Sequence, residues 1–171
     1  MLTPARRITA LTSQLQAQAP IATMSSPERP PITCHVLDTM TGRPAANLDV
    51  SLFCTELASV VFAARTNADG RVAAWEMQLA AGEREGAYAR ENGGSAAVMK
   101  KIIEEQGLVE ELQSRPRGTS LWKLQFNTGA HYGVTKTFFP VVELSFLVKQ
   151  GEHFHVPLLL GPYSFTTYRG S

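Results

Sequence analysis

The chain has 171 residues, of which 44% are hydrophobic, with 16 Lys+Arg against 15 Asp+Glu and a net charge of +1. That supplies one domain with a real core and excludes a wholly disordered chain, while the even charge balance argues against a protein that works by neutralising nucleic-acid phosphates. No apolar run approaches the roughly 20 residues that span a bilayer, and the two cysteines, Cys34 and Cys54, are too few for a disulfide framework and read as buried thiols of a reduced, intracellular protein.

Residues 1–31 are expected to lie outside the folded domain. The first 24 contain no acidic residue, and residues 25–31, SSPERPP, read as a stiff polar linker. Within this extension, residues 7–15 (RITALTSQL) place Ile8, Leu11 and Leu15 on one helical face. The nonapeptide resembles a type-2 peroxisomal targeting signal. An amphipathic mitochondrial-type leader and an inert tail are the alternatives, and Met24 offers a second start.

The domain is expected to begin at Ile32. ITCHVLD (32–38) alternates and is rich in β-branched residues, which predicts a strand. Residues 39–47 (TMTGRPAAN) form a turn, and 48–53 (LDVSLF) a second strand with Leu48, Val50 and Leu52 on one face. Residues 60–65 make a third, Asn67 to Gly70 a tight turn with glycine placed for positive φ, and 71–75 open the next strand. Residues 82–118 break the rhythm and are read as an insert. Within them, 95–113 (SAAVMKKIIEEQGLVEELQ) carry Val98, Ile102, Leu108 and Leu112 at helical spacing, with Ser95 as N-cap and Gly93-Gly94 as a hinge. Strands return at 121–127, 140–148, 153–160 and 166–169. Seven or eight short strands without alternating long helices predict an all-β antiparallel sandwich with an inserted loop and helix.

Chemistry-bearing residues are sparse. Of the four histidines, His35, His153 and His155 fall in predicted strands, and His131 does not. His153 and His155 are two apart and leave a strand on the same face. Such a pair either binds a metal, given a third ligand such as His35, or exchanges protons near neutral pH. Arg71, opening a strand after a tight turn, is either a solvated cation or a fixed guanidinium for an anion or a polarised carbonyl. The chain closes on Tyr168, Arg169, Gly170 and Ser171 directly after an apolar run, which reads as an ordinary edge strand or as a terminus put to use. No nucleophile elbow, phosphate loop or dinucleotide fingerprint is present.

These segments resemble one family. His35-Val36-Leu37-Asp38 followed by Gly42-Arg43-Pro44-Ala45, the turn Thr66 to Arg71, the segment TFFPVVELSF (137–146) and the block HFHVPLLLGPYSFTTYRGS (153–171) are similar to the motifs of the transthyretin-like proteins. The resemblance covers residues 32–81 and 121–171 and omits the N-terminal extension and the insert. It favours the 5-hydroxyisourate hydrolase branch over the hormone-carrier branch, which lacks the site histidines and the terminal Tyr-Arg-Gly-Ser. It implies a transthyretin-like sandwich over residues 32–171. It implies His35, Arg71 and His155 as catalytic residues and Tyr168, Arg169, Gly170, Ser171 and His153 as substrate-binding residues. It implies no metal and no cofactor. The expected reaction opens the six-membered ring of 5-hydroxyisourate with water, in urate degradation. The expected assembly is a homotetramer with sites at the dimer–dimer interface, acting on a small molecule and engaging neither nucleic acid nor membrane. Gly161, Phe165, Phe154 and Cys34 depart from the family's usual serine, tyrosine, tyrosine and threonine or serine, without removing a catalytic group. A non-enzymatic carrier using the same channel is the alternative, and a regulatory protein working through its insert is a third reading.

Overall fold

The computed structural model describes residues 29–57, 59–79, 85–109 and 115–170. The targeting-like nonapeptide at 7–15, Leu112 and Ser171 lie outside the described residues.

Among the described residues, ten strands follow in chain order: β1 Ile32–Asp38, β2 Arg43–Pro44, β3 Asp49–Cys54, β4 Val60–Arg65, β5 Arg71–Val72, β6 Glu76–Leu79, β7 Thr119–Phe126, β8 Val142–Lys149, β9 Phe154–Leu160 and β10 Phe165–Thr167. Helix α1 (Glu85–Glu91) and helix α2 (Ser95–Gly107) separate β6 from β7. A short helix, α3 (Thr128–Tyr132), and a 3-10 turn at Val134–Lys136 separate β7 from β8. One sheet runs β10-β9-β1-β2, with β5 also paired to β1, and the other runs β6-β4-β3-β7-β8. The sandwich expected from the strand pattern is therefore present. One pairing departs from it, because β1 and β9 are parallel over their whole length, from Ile32↔Phe154 to Asp38↔Leu160. Alternation fixes which face of a strand is buried but not the direction of its neighbour.

The core lies between the sheets. Ile32, Cys34 and Val36 of β1 and Phe154, Val156, Leu158 and Leu160 of β9 point inward against Val50 and Leu52 of β3 and Trp122, Leu124 and Phe126 of β7. The Phe62 and Trp122 rings sit 6.1 Å apart, and the buried Trp122 indole donates to Ser120 Oγ. Both cysteines are buried and unpaired. Period two then sends Thr33, His35, His153, His155 and Pro157 to the outer face of the first sheet.

The segment expected as one strand from Arg71 to Trp75 is shorter. It ends at Val72 because Trp75 turns inward and donates its indole N–H to the Ile32 carbonyl at 2.8 Å, after which β6 starts on the opposite sheet.

Helix α2 packs against β7 and β8 and buries Val98, Met99, Ile102 and Ile103. The expected cap is corrected: Gly94 is the N-cap, with no side-chain cap bond. Ser95 Oγ instead accepts from the Met77 amide at 3.2 Å, tying the helix to β6. The helix stops at Gly107 rather than Gln113, and Leu108 is 76% exposed. Its last carbonyls are taken by the neighbouring strand ends: Gln150 Nε2 donates to Glu104, Arg115 Nη2 to Gln106 and the Gly118 amide to Gly107. These satisfy groups that a helix C-terminus otherwise leaves open. Arg115 also forms a partly buried ion pair with Glu56.

Candidate functional site

The turn before β5 positions Arg71. Asn67 Oδ1 accepts from the Asp69 amide at 3.0 Å and the Arg71 amide at 2.9 Å. The Asn67 amide donates to the Arg71 carbonyl at 2.9 Å. Gly70 adopts φ +71°, and a Cβ there would press on the Val36 carbonyl oxygen, so only glycine lets the turn lie this close to β1. Arg71 thereby becomes the register partner of His35. Opposed residues of an antiparallel pair have Cβ atoms about 5 Å apart.

The parallel β1–β9 pairing supplies the second half. Thr33 is opposite His155, and His35 is opposite Pro157. The His35 and His155 rings are stacked with centroids 6.5 Å apart. Thr33 Oγ1 lies 2.9 Å from His155 Nδ1 and 3.2 Å from His153 Nε2. His153 stands just before β9.

The C-terminal residues cross the same face. The Gly170 amide donates to the His155 carbonyl at 2.8 Å. A Cβ at Gly170 would sit 2.8 Å from His155 Cδ2 and 3.2 Å from Pro157 Cγ, so this close approach also requires glycine. Tyr168 and Arg169 line, with His155, a cavity of about 370 Å³ between β8 and β9. The Arg169 guanidinium is turned to Glu152 at 2.9 Å and lies over the Phe154 ring at 5.2 Å. His153 lines a different cavity of about 230 Å³, shared with Arg29, Lys100 and Ile103.

Each imidazole on this face has its proton affinity lowered. For His35 the causes are burial and then the Arg71 charge, opposed by the Asp69 carbonyl and carboxylate. For His155 they are burial, then Arg71, His35, His153 and Arg29. For His153 they are burial and then Arg29, opposed by the Pro30 carbonyl. All three rings are thus held neutral near pH 7, able to accept a proton, beside a guanidinium that suits a carbonyl or an anion. His131 does not join them. It sits on α3 with Nε2 3.1 Å from Asp38 Oδ2. Burial raises the Asp38 carboxyl, but bonds from His131, the Met40 and Thr41 amides and Tyr132 outweigh it and hold the group below its usual value. Among the described residues, no group of three His, Cys, Asp or Glu is placed to hold a metal.

The structure brings His35, Arg71, His155, His153 and Gly170 to one sheet face, with Tyr168 and Arg169 along its rim. It adds Thr33, which the sequence reading passed over. The available signal was parity, since Thr33 is two residues before His35 and shares its face.

A two-sheet sandwich whose first and penultimate strands lie parallel, with imidazoles and a guanidinium on the open face between them, has the architecture of the transthyretin-like proteins. The chain belongs to the HIUase/Transthyretin family, whose model matches residues 32–170. It is 33% identical over 153 residues to a probable 5-hydroxyisourate hydrolase of Schizosaccharomyces pombe, covering 85% of this chain and 94% of that protein. It is 33% identical over 151 residues to the 5-hydroxyisourate hydrolase of Mus musculus, covering 84% and 98%. Its fold matches the structure of Klebsiella pneumoniae 5-hydroxyisourate hydrolase with a TM-score of 0.52 and 25% identity, covering 82% of this chain and 92% of that one.

Proposed function

We propose that this protein is a 5-hydroxyisourate hydrolase. The observation that carries the reading is the stacked His35–His155 pair, 6.5 Å between centroids, with Arg71 in register beside His35. The names of the relatives supply the substrate. Water attacks a carbonyl of the six-membered ring while a neutral imidazole takes its proton. Arg71 holds the carbonyl oxygen as negative charge develops. The ring C–N bond then breaks, and the proton passes to the departing nitrogen. The product is 2-oxo-4-hydroxy-4-carboxy-5-ureidoimidazoline, formed in urate degradation. Tyr168, Gly170 and Ser171 would border the bound substrate, and no step calls for a metal or a cofactor.

The assembly that fits this site is a homotetramer with sites at the dimer–dimer interface. The catalytic face is an open sheet surface, and a second copy laid over it would exclude water and strengthen its electrostatics. Exposed Met40, Val134, Phe138 and Tyr163 supply apolar surface for such contacts. No helix among the described residues is long and apolar enough to cross a membrane. The RITALTSQL segment supports a peroxisomal destination.

The test is a coupled assay in which urate oxidase generates the substrate and its ultraviolet absorbance is followed. Wild-type protein should accelerate the decay, and His155→Ala should lower kcat by about 100-fold or more. Decay no faster than the spontaneous rate, from correctly folded protein, would favour a non-enzymatic carrier.

A further inference from the structure

We propose that Glu152 is a positioning residue for the reaction: through Arg169 it clips the end of the chain across the site face and holds Gly170 against His155. The inference rests on the site reading above. It moves Arg169 from the substrate-binding role that the family resemblance implied to a tether that acts on the site from its rim.

The segment that carries Gly170 needs a hold. Strand β10 ends at Thr167, Tyr168 is exposed, and chain ends fray unless they are tied down. Two bonds join the segment to β9: Thr167 Oγ1 donates to the Pro157 carbonyl at 2.8 Å, and the Gly170 amide donates to the His155 carbonyl at 2.8 Å. Between them the Arg169 side chain adds a third attachment. Its Nη2 donates to Glu152 Oε2 at 2.9 Å, and its guanidinium lies over the Phe154 ring at 5.2 Å. Glu152 and Phe154 stand three residues and one residue before His155. The guanidinium therefore grips the stretch that leads into His155, while the neighbouring Gly170 bonds to His155 itself. A guanidinium engaged by a carboxylate and a ring face is committed to that grip rather than offered to substrate.

The other jaw of the clip is firm. Lys149 Nζ lies 3.1 Å from Glu152 Oε1, so each carboxylate oxygen faces a cation. The Glu152 amide donates to the Lys149 carbonyl at 3.3 Å, and the Gln150 amide to the Gly118 carbonyl at 3.0 Å. Gln150 Nε2 reaches the Glu104 carbonyl of helix α2 at 2.7 Å. The insert thus braces the turn that carries Glu152. The Arg169 and Glu152 side chains are 69% and 37% exposed. An isolated pair so exposed holds weakly and is screened by salt. Here two cations share one carboxylate, and the ring face adds to the hold on Arg169.

Steady-state kinetics and Gly170 amide exchange in the full-length protein test the clip. Glu152→Gln should lower kcat/KM about threefold, and Arg169→Gln, which also loses the ring contact, about tenfold. If Arg169 acts through Glu152, the double variant should match Arg169→Gln instead of multiplying the two losses. Arg169→Lys should stay within about twofold of wild type, because one ammonium can satisfy a single N–O contact and sit over a ring, whereas a bidentate substrate contact would not survive it. Raising salt from about 0.1 to 1 M should cost the wild type more activity than Glu152→Gln. Both Gln variants should speed exchange of the Gly170 amide, with far-ultraviolet circular dichroism unchanged. Wild-type kcat/KM and Gly170 exchange in Glu152→Gln, or losses that multiply in the double variant, overturn the proposal. A wild-type protein without hydrolase activity would instead sink the site reading, and Gly170 exchange would still report on the clip.

Discussion

The Arg71 guanidinium lowers the proton affinity of both His35 and His155, second only to the burial of the rings. The same charge that would steady a developing oxyanion thus keeps its partner imidazoles in the basic, neutral form. The pH dependence follows. Unperturbed imidazole titrates near 6.5, and Arg29, Arg71 and the neighbouring imidazoles push these groups lower, against the pull of Asp69 on His35. kcat/KM should therefore be flat from about pH 7 upward and fall as pH drops below about 6.5 toward the depressed values. Stability should move in the same direction, because below about 6.5 the unfolded chain binds protons that the folded rings resist. A kcat/KM that rises on acidification would show that a protonated imidazole is the active form. Gly170→Ala tests the geometry of the face. Its Cβ would meet His155 Cδ2 at 2.8 Å, and a displacement on that scale should cost about 100-fold in kcat, with far-ultraviolet circular dichroism unchanged. At this scale the sequence was informative about which residues share a face, since parity groups Thr33 with His35 and His153 with His155. It was silent on the bond between Thr33 and His155, which depends on a strand pairing that no local pattern encodes.

Among the elements, the insert is the least like a detachable decoration. Helix α2 contributes Val98, Met99, Ile102 and Ile103 to the continuous core, and its C-terminal carbonyls are closed by Gln150, Arg115 and Gly118. Met99 is fully buried, so Met99→Ala should destabilise the whole sandwich by about 2–5 kcal/mol, read as one cooperative shift in denaturant midpoint. Two separate transitions, with the helix melting first, would show that it folds on its own. Helical spacing in the sequence identified Val98 and Ile102 as inward-facing. It could not locate the helix end, because Leu108 fits the same periodicity yet is exposed. Termination is set by long-range partners of the last carbonyls. Ser95 misled for a related reason: a good capping residue was recruited by the Met77 amide instead.

For the whole molecule, the open face and the exposed Phe138 and Tyr163, at 72% and 73%, belong to a surface that a monomer would leave in water. Sedimentation should give a mass near four chains, and dilution into smaller species should reduce specific activity along with the tetramer fraction. A fully active monomer would remove the shared-site arrangement. Strand content and the two-layer class could be read from alternation and turn signals, but the strand order and the parallel β1–β9 pairing could not, because these arise from the packing of distant segments.

The parallel pair ties chemistry to the order of chain assembly. Thr33 and His155 are 122 positions apart, and β9 reaches β1 only after the intervening hairpins and helices have been laid down. Closing so long a loop is a late and slow step in most β topologies. A partly synthesised or partly folded chain therefore presents β1 as a bare edge with His35 and Arg71 already adjacent but without the imidazole across from Thr33. With His155 in the role proposed above, catalytic competence requires that the two distant strands meet. Activity would then be a built-in readout of completed folding, with half-made molecules lacking turnover while exposing a bare strand edge.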